Sequence, residues 1–209
     1  MEDIRRNMRL LSSIFICLLL SSSFSLLSCS EEDTTEDEFA NWQERNEGQT
    51  DLWATRVNSG WYTKILTYSK DESMSGLKNS DYIYVEVLEE GDGQESPIFT
   101  DNVRVAYRGY LIPTTNYSEG YVFDQSFLGD FDWKTAGMTD FVVSSVVAGF
   151  STALMNMHEG DHWIVHIPYQ LGYGTTSQTG IPAYSDLTFE IALQSFWHQG
   201  EDGGKFKTR

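Results

Sequence analysis

Beyond residue 29 the sequence has no cysteine. The chain contains 209 residues and two cysteines, Cys17 and Cys29, which both lie near the N-terminus. The rest of the chain therefore offers neither a disulfide nor thiol chemistry, and its stability must come from packing. Hydrophobic residues make up 40% and aromatic residues 14% of the sequence, which is enough to build the core of one domain with appendages.

Basic residues are scarce as well. The sequence has 14 Lys and Arg against 31 Asp and Glu, a formal net charge of −17. Binding to nucleic acid requires clusters of basic side chains that neutralise phosphates, and the sequence contains no such cluster. We therefore expect no nucleic-acid partner, and the acidity is suited to solubility and to repulsion of like-charged surfaces.

A hydrophobic run long enough to be a clear membrane span is also missing. The apolar stretch of residues 10–27 is barely ~18 residues long, the lower limit for a spanning helix, and serines interrupt it. It follows three arginines, an order that is typical of a secretory signal. A membrane-spanning helix is the alternative that this stretch leaves open.

The end of this stretch resembles a bacterial lipobox. Residues 26–29 read Leu-Leu-Ser-Cys, and in signals of this kind the cysteine becomes the lipid-modified first residue of the mature protein. We therefore predict a signal peptide over residues 1–28 and a lipid anchor on Cys29, with two or more acyl chains for stable attachment. The expected location is the outer membrane, on its periplasmic face or at the cell surface.

An acidic segment follows the predicted anchor. Residues 30–38 read SEEDTTEDE, a composition that cannot fold alone and that predicts a disordered tether. The segment resembles the surface-export tag of Bacteroidetes lipoproteins, and a plain spacer is the alternative. A short helix is then expected over residues 38–57, with Phe39, Trp42 and Trp53 on its apolar side. We assign residues 29–58 to this tether and helix.

The pattern changes to β-strands from Gly60 onward. Alternating or β-branched residues predict strands over residues 61–66, 82–88, 103–108, 141–143, 163–167 and 187–193. The apolar residues Phe150, Ala153, Leu154 and Met157 fall at i, i+3, i+4 and i+7 and predict one amphipathic helix, which we expect Gly160 to end. This order of elements indicates an α+β domain in which an antiparallel sheet wraps around one short helix.

Six segments, read in order, resemble the FKBP-type peptidyl-prolyl cis–trans isomerase family. They are VRVAYRGYL at residues 103–111, FDQS at 123–126, VVAGF at 146–150, MHEGD at 157–161, IPYQLGYG at 167–174, and IP at 181–182 followed by LTFE at 187–190. The resemblance implies a half-open antiparallel sheet folded over the helix. It covers approximately residues 80–198, which we take as the domain, with an additional strand region at 59–79 and a tail at 199–209.

The resemblance also implies the chemistry. Enzymes of this family bind proline-containing polypeptides and isomerise X-Pro bonds in a site without nucleophile, metal or cofactor. An apolar site of this kind favours the twisted amide, which is less polar than the planar one. A macrolide ligand is implied as well. Three departures from the family leave both its affinity and the rate of isomerisation open: the loop over residues 110–121 is long, Thr139 stands where an aromatic wall is usual, and the short loop at 175–180 offers Gln178.

The family's site maps onto nine residues of this sequence. The expected catalytic residues are Tyr107, Asp124 and Tyr173, with Tyr173 and the backbone amide of Ile181 donating to the substrate carbonyl. Asp124 is expected either to face the twisting amide or to hold Tyr107. The expected substrate-binding residues are Phe123, Val146, Val147, Phe150, Ile181 and Phe189, with Phe150 replacing the usual tryptophan under the proline ring.

Each of these residues also has a purely structural interpretation. Val146, Val147 and Phe189 suit the core of any sheet domain, Tyr173 suits a turn, and Asp124 suits a strand end. His158, His162 and His166 have a four-residue spacing that binds metals on helices, but Gly160 interrupts the helix, so we expect no metal site.

Three functions follow from these patterns. The first is an isomerase that folds exported proteins. The second is a proline-binding or chaperone-like module with little turnover, which the Phe150 floor and the altered wall favour. The third is a structural surface lipoprotein, and only the acidic tether favours this function.

Overall fold

The computed structural model describes residues 38–201, and within this range the chain forms two α-helices and seven β-strands. The predicted signal peptide, Cys29 and most of the acidic tether lie outside the described residues. The helices are α1 (Trp42–Asn58) and α2 (Ala148–Leu154). The strands are β1 (Thr63–Leu66), β2 (Tyr82–Glu89), β3 (Asn102–Leu111), β4 (Val122–Gln125), β5 (Thr139–Val142), β6 (His162–Ile167) and β7 (Leu187–Trp197).

The strands form one antiparallel sheet in the order β1-β2-β6-β7-β3-β4, which confirms the predicted fold class. Leu111, the last residue of β3, pairs with Leu187, the first residue of β7. The two strands stay paired along the whole of β3. On the other edge of β3, β5 pairs with residues 102–105 and β4 pairs with residues 108–110. This shared edge places β4 and β5, which residues 126–138 connect, next to one another.

The alternation that predicted β6 and β7 is the reason that these strands cover the core. Successive side chains of a strand point to opposite faces. Leu187, Phe189, Ile191 and Leu193 of β7 are all buried, and so are Trp163, Val165 and Ile167 of β6. Strand β6 ends at Ile167, directly before Pro168, because proline has no amide hydrogen for the ladder.

Helix α2 packs directly on β6 and is shorter than predicted. A Cβ on Gly149 would lie 2.3 Å from the Ile167 side chain, so only glycine permits this close contact. The helix ends at Leu154, and the expectation that it runs to Gly160 is wrong. The carboxylate of Asp161 accepts hydrogen bonds from the amides of His158 and Gly91 at 2.7 and 2.6 Å, which holds residues 158–161 in a turn.

Helix α1 confirms the predicted N-terminal helix but buries a mixed face. Its buried residues are Trp42, Asn46, Thr50 and Trp53, and two of these are polar, so the apolar pattern in the sequence is weak. Phe39 lies before the helix, with its ring centroid 5.0 Å from that of Trp42 in an edge-on contact. No helix between residues 38 and 201 is both long and apolar enough to cross a bilayer.

A polar cluster attaches α1 to the segment that precedes β7. Asn46 Oδ1 accepts a hydrogen bond from the backbone amide of Asp186 at 2.8 Å, and the Thr50 hydroxyl donates to the Asp186 carboxylate at 2.9 Å. The same carboxylate accepts from the amide of Tyr169 at 2.8 Å. We call Asn46, Thr50 and Asp186 the docking cluster. It fixes the chain just after Ile181, one of the predicted site residues.

Candidate active site

Five aromatic side chains from five elements meet in one cluster. The ring of Phe150 on α2 lies 4.9 Å from Phe189 on β7, 6.3 Å from Phe141 on β5 and 6.4 Å from Tyr107 on β3, all near-perpendicular. Phe123 on β4 contacts Phe189 at 5.5 Å. Edge-on contacts of this kind are the favoured geometry for aromatic pairs. We call these residues the aromatic pocket.

The glycine at position 109 makes this packing fit. A Cβ on Gly109 would lie 2.6 Å from ring atoms of both Phe123 and Phe189. Ring atoms held in a packed cluster cannot move away as the end of a flexible chain can. The glycine of the VRVAYRGYL segment therefore lets two pocket rings approach the backbone of β3.

Tyr107 and Asp124 form a hydrogen-bonded pair at the edge of the aromatic pocket. The Tyr107 hydroxyl donates to Asp124 Oδ2 at 2.8 Å. Ser126 closes the motif, because its hydroxyl accepts from the amide of Tyr107 at 2.9 Å while its own amide donates to the Tyr107 carbonyl at 2.8 Å. Burial, followed by the hydrogen bond to Asp124, raises the pKa of Tyr107. The phenol therefore stays protonated and remains a donor at neutral pH.

Tyr173 presents a half-exposed phenol beside this pair. Its side chain is 38% exposed, and its hydroxyl makes no hydrogen bond within residues 38–201. Burial, and then the Asp124 carboxylate, raises the pKa of Tyr173. The group is thus a neutral donor that is available to a ligand. Gly174, with φ of +61°, allows the turn that follows it.

Val146, Val147 and Ile181 lie around the pocket in less direct positions. The two valines directly precede α2, are half-buried and pack against the same core. Ile181 is 5% exposed. Its amide donates to the carbonyl of Gln178 at 3.1 Å, and the amide of Gln178 donates back to the Ile181 carbonyl at 2.9 Å. The role of this amide as a donor to a substrate carbonyl stays a prediction, and in the described structure the same N–H group is paired with Gln178.

Sequence reasoning missed Phe141 as a pocket residue. Its ring lies 5.4 Å from Tyr107 and supplies an aromatic wall, whereas Thr139 lines a different cavity of about 620 Å³ together with Arg104 and Asp140. The only sequence feature that could have identified it is a single phenylalanine in a four-residue strand. Its direction became visible only when β5 was paired with β3, where Val103 lies opposite Phe141.

The three histidines each have their own surroundings. His162 Nε2 lies 2.9 Å from Glu190 Oε1, and the ring of His166 stacks on Trp53 at 4.8 Å with Nδ1 2.9 Å from the Thr188 hydroxyl. His158 is half-exposed beside Asp161. Burial, and then Arg56, lowers the pKa of His166 to about 3, so its imidazole is neutral at physiological pH.

Comparison with known proteins identifies the same family as the motifs. The family described as FKBP-type peptidyl-prolyl cis-trans isomerase matches residues 93–194. This match lies within residues 80–198, and the domain boundaries predicted above stay a prediction.

Three curated relatives are similar to this chain. The macrophage infectivity potentiator of Trypanosoma cruzi is 31% identical over 199 residues, 94% of this chain and 87% of that protein. The peptidyl-prolyl cis-trans isomerase Mip of Coxiella burnetii is 35% identical over 63% of this chain and 51% of its own length. The outer membrane protein MIP of Legionella longbeachae is 34% identical over 70% of this chain and 61% of its own length.

The fold agrees with a solved structure. The crystal structure of FkpA from Escherichia coli superimposes with a TM-score of 0.52 at 24% identity, covering 76% of this chain and 62% of that one. The relative from Trypanosoma cruzi is similar over nearly its whole length, and the aromatic pocket contains the motifs of the matched family. The chain therefore belongs to the FKBP-type peptidyl-prolyl cis–trans isomerase family, whose enzymes accelerate rotation about X-Pro peptide bonds.

Proposed function

We propose that this chain isomerises X-Pro bonds of exported polypeptides, with the proline ring held against the aromatic pocket and the reacting amide beside Tyr173. The observation that carries this proposal is the Tyr107–Asp124 hydrogen bond of 2.8 Å at the edge of the clustered rings. The pair places a fixed polar group next to an apolar surface. The apolar surface favours the less polar twisted amide, and the polar group can orient the substrate beside it.

The physical chemistry follows from the amide itself. Rotation about the C–N bond has a barrier of ~18–20 kcal/mol because it breaks the resonance between nitrogen and carbonyl. The twisted amide has lost this resonance and is less polar than the planar form, so transfer from water to an apolar site favours it. Rotation makes and breaks no covalent bond and needs neither nucleophile nor metal.

Separate roles follow for the predicted residues. Phe150 and Phe189 form the floor under the proline ring, while Phe123, Val146, Val147 and Ile181 contribute apolar contact around it. Tyr173 donates a hydrogen bond to the substrate carbonyl, since its phenol is half-exposed and free of partners within the described residues. We assign Asp124 the role of holding Tyr107, and the 2.8 Å hydrogen bond between them supports this assignment.

We expect Tyr173→Phe to lower kcat/KM several-fold without changing the melting temperature. The variant removes one hydrogen bond, worth ~0.5–1.5 kcal/mol, and keeps the ring. The measurement is a protease-coupled or exchange-NMR assay of a Leu-Pro tetrapeptide, whose uncatalysed isomerisation takes tens to hundreds of seconds. Tyr68→Phe is the matched control, since Tyr68 is similarly exposed at 43%. Native activity in Tyr173→Phe would remove this residue from the mechanism.

A binding module with little turnover is the second candidate function. The observation that favours it is Phe150, whose ring offers less area to proline than an indole. The tetrapeptide assay separates the two functions: a folded protein that binds the peptide and leaves the isomerisation rate unchanged is a binding module. Measurable acceleration makes it an isomerase.

We further propose that the protein is exported and membrane-associated through a lipid on Cys29. Supporting this location are the signal-like residues 1–28 and the Legionella relative named an outer membrane protein. We expect Cys29→Ala to leave an unprocessed or soluble precursor, because no other cysteine follows the signal. Labelling with a palmitate analogue should mark the wild type alone, and Cys17→Ala is the matched control that keeps the label. Equal labelling of wild type and Cys29→Ala would contradict the anchor.

A further inference from the structure

A cleft of about 420 Å³ adjoins Ile181 outside the aromatic pocket. Three segments form its walls: residues 38–39 before α1, the loop that contains Tyr117 and Tyr121, and residues 177–182. We call it the Ile181 cleft. Its volume lies within the range of ligand-binding pockets, ~300–1,000 Å³.

The lining of the cleft suits a neutral aromatic ligand. Most of its surface comes from apolar or aromatic side chains, namely Phe39, Tyr117, Tyr121, Ile181 and Pro182. The polar groups are Glu38, Ser177 and Gln178, and neither lysine nor arginine is among the lining residues within 38–201. A carboxylate ligand would meet Glu38 in a strongly acidic protein, so like-charge repulsion disfavours acidic segments.

One side of the cleft is held by a chain of side-chain contacts. The ring of Phe39 packs edge-on against Trp42, whose indole N–H donates to the Ser185 hydroxyl at 2.8 Å. That hydroxyl in turn donates to the carbonyl of Pro182 at 2.6 Å. Phe39 and Pro182, which are distant in sequence, are therefore fixed relative to each other.

The opposite side is held in the same manner. The Thr114 hydroxyl donates to the Glu38 carboxylate, and the Thr114 amide donates to the carbonyl of Tyr117 at 2.9 Å. The rings of Tyr117 and Tyr121 lie 5.1 Å apart in an edge-on contact. The cleft is thus formed before any ligand arrives, which reduces the entropic cost of binding.

Resting on the proposed function, we infer that the Ile181 cleft is a second subsite for the same polypeptide, and that it binds an aromatic side chain close to the proline. Ile181 lines the cleft and also packs in the same hydrophobic core as Phe150 and Phe189, and on this ground we place the subsite next to the predicted proline site. An extended chain advances ~3.3–3.6 Å per residue, which places the aromatic residue within a few positions of the proline. Glu38 and Phe39 lie outside the family match at residues 93–194, so this part of the subsite is an addition to the shared domain.

The test uses a peptide series on the full-length protein. Each peptide carries one Leu-Pro bond and a phenylalanine at one of four positions on either side, with alanine at that position as the reference. We expect at least one phenylalanine position to raise kcat/KM several-fold, mainly through a lower KM. Tyr117→Ala should abolish this gain, while Tyr68→Ala should keep it, since both tyrosines are 43% exposed and only Tyr117 lines the cleft. If Tyr117→Ala does not fold, Phe39→Ala serves in its place.

Two results would overturn the subsite. One is a wild type that gains nothing from phenylalanine at any position, and the other is a gain that survives removal of the Tyr117 ring. Failure of the proposed function has a different signature, namely no turnover of the Leu-Pro tetrapeptide. In that case the dissociation constants of the same peptides decide: tighter binding of a phenylalanine peptide that Tyr117→Ala removes supports the subsite, and equal constants refute it.

Discussion

Asp186→Asn should make the protein more stable at pH 8, and the gain should disappear as the pH falls toward 4. The Asp186 carboxyl is fully buried in the docking cluster. Burial raises the pKa of Asp186 to about 7. The hydrogen bonds from the Tyr169 amide and the Thr50 hydroxyl lower this pKa, and the nearby Glu47 carboxylate raises it further. An asparagine can accept from the Tyr169 amide and donate to the Thr50 hydroxyl, so the variant keeps the contacts and loses the charge.

The sign of the effect follows from proton linkage. The folded state holds the Asp186 proton up to about pH 7, whereas the unfolded chain releases it near pH ~4. Between these values the folded state binds more protons, so the contribution of this group to stability is complete below pH ~4 and is lost as the pH rises toward 7. Between pH 4 and pH 8, the contribution of Asp186 to the free energy of unfolding changes by an amount on the order of 4 kcal/mol.

Urea unfolding of wild type and variant between pH 4 and pH 8 measures this difference. His166 acts in the opposite direction, because its depressed pKa makes the folded state lose stability as the pH falls below ~6.5. Since both proteins contain His166, the difference between their curves isolates Asp186. Asp130→Asn, at an exposed position, is the control that should follow the wild type. Parallel curves for wild type and Asp186→Asn would show that the buried carboxyl carries no such penalty.

Leu154→Ala and Phe150→Leu should separate stability from activity on the same short helix. Leu154 is completely buried, so truncation leaves a cavity and should cost roughly 2–5 kcal/mol of unfolding free energy. Phe150→Leu retains most of the apolar volume and should cost less than ~1.5 kcal/mol. It removes the ring that contacts Tyr107, Phe141 and Phe189, and we expect kcat/KM for the Leu-Pro tetrapeptide to fall about tenfold, equivalent to ~1.4 kcal/mol.

The two measurements are made on both variants at a temperature where each is folded. Leu154→Ala shows how a true core substitution affects stability, and Phe150→Leu is compared with it. Phe150→Leu shows how a pocket substitution affects activity, and Leu154→Ala is the comparison for that measurement. If Phe150→Leu strongly lowers the free energy of unfolding, and the fraction that remains folded has native activity, Phe150 is a core residue and does not form the proline floor.

Local patterns in the sequence were sufficient to predict the domain class and six of the seven strands, whereas strand β4 was not predicted. The family motifs, not these patterns, contained four of the five rings of the aromatic pocket. The alternation in β6 and β7 is a local pattern, so it can be read directly from the sequence. The need for glycine at positions 109 and 149 is not local, because the side chains that leave no room for a Cβ there come from distant parts of the chain. The FDQS segment was similarly informative, since Ser126 and Asp124 both bond to Tyr107 on the neighbouring strand. The position of helix α2 was predicted correctly, but its end was not. The helix stops at Leu154, and the Asp161 carboxylate binds the backbone amide of His158, which a longer helix would have used.

What the sequence determined by itself was therefore the type of most elements and, through the family motifs, the expected chemistry of the aromatic pocket. Only the tertiary structure decided that Phe141 joins the pocket, that the Ile181 amide is already paired, and that α1 attaches through Asn46 and Thr50 to Asp186. The last two contacts join residues 140 and 136 positions apart in the chain. Polar residues at such separations have no periodicity that marks them as partners. Their hydrogen bonds exist because the core first brings α1 and the segment before β7 together, and burial then requires each polar group to find a partner.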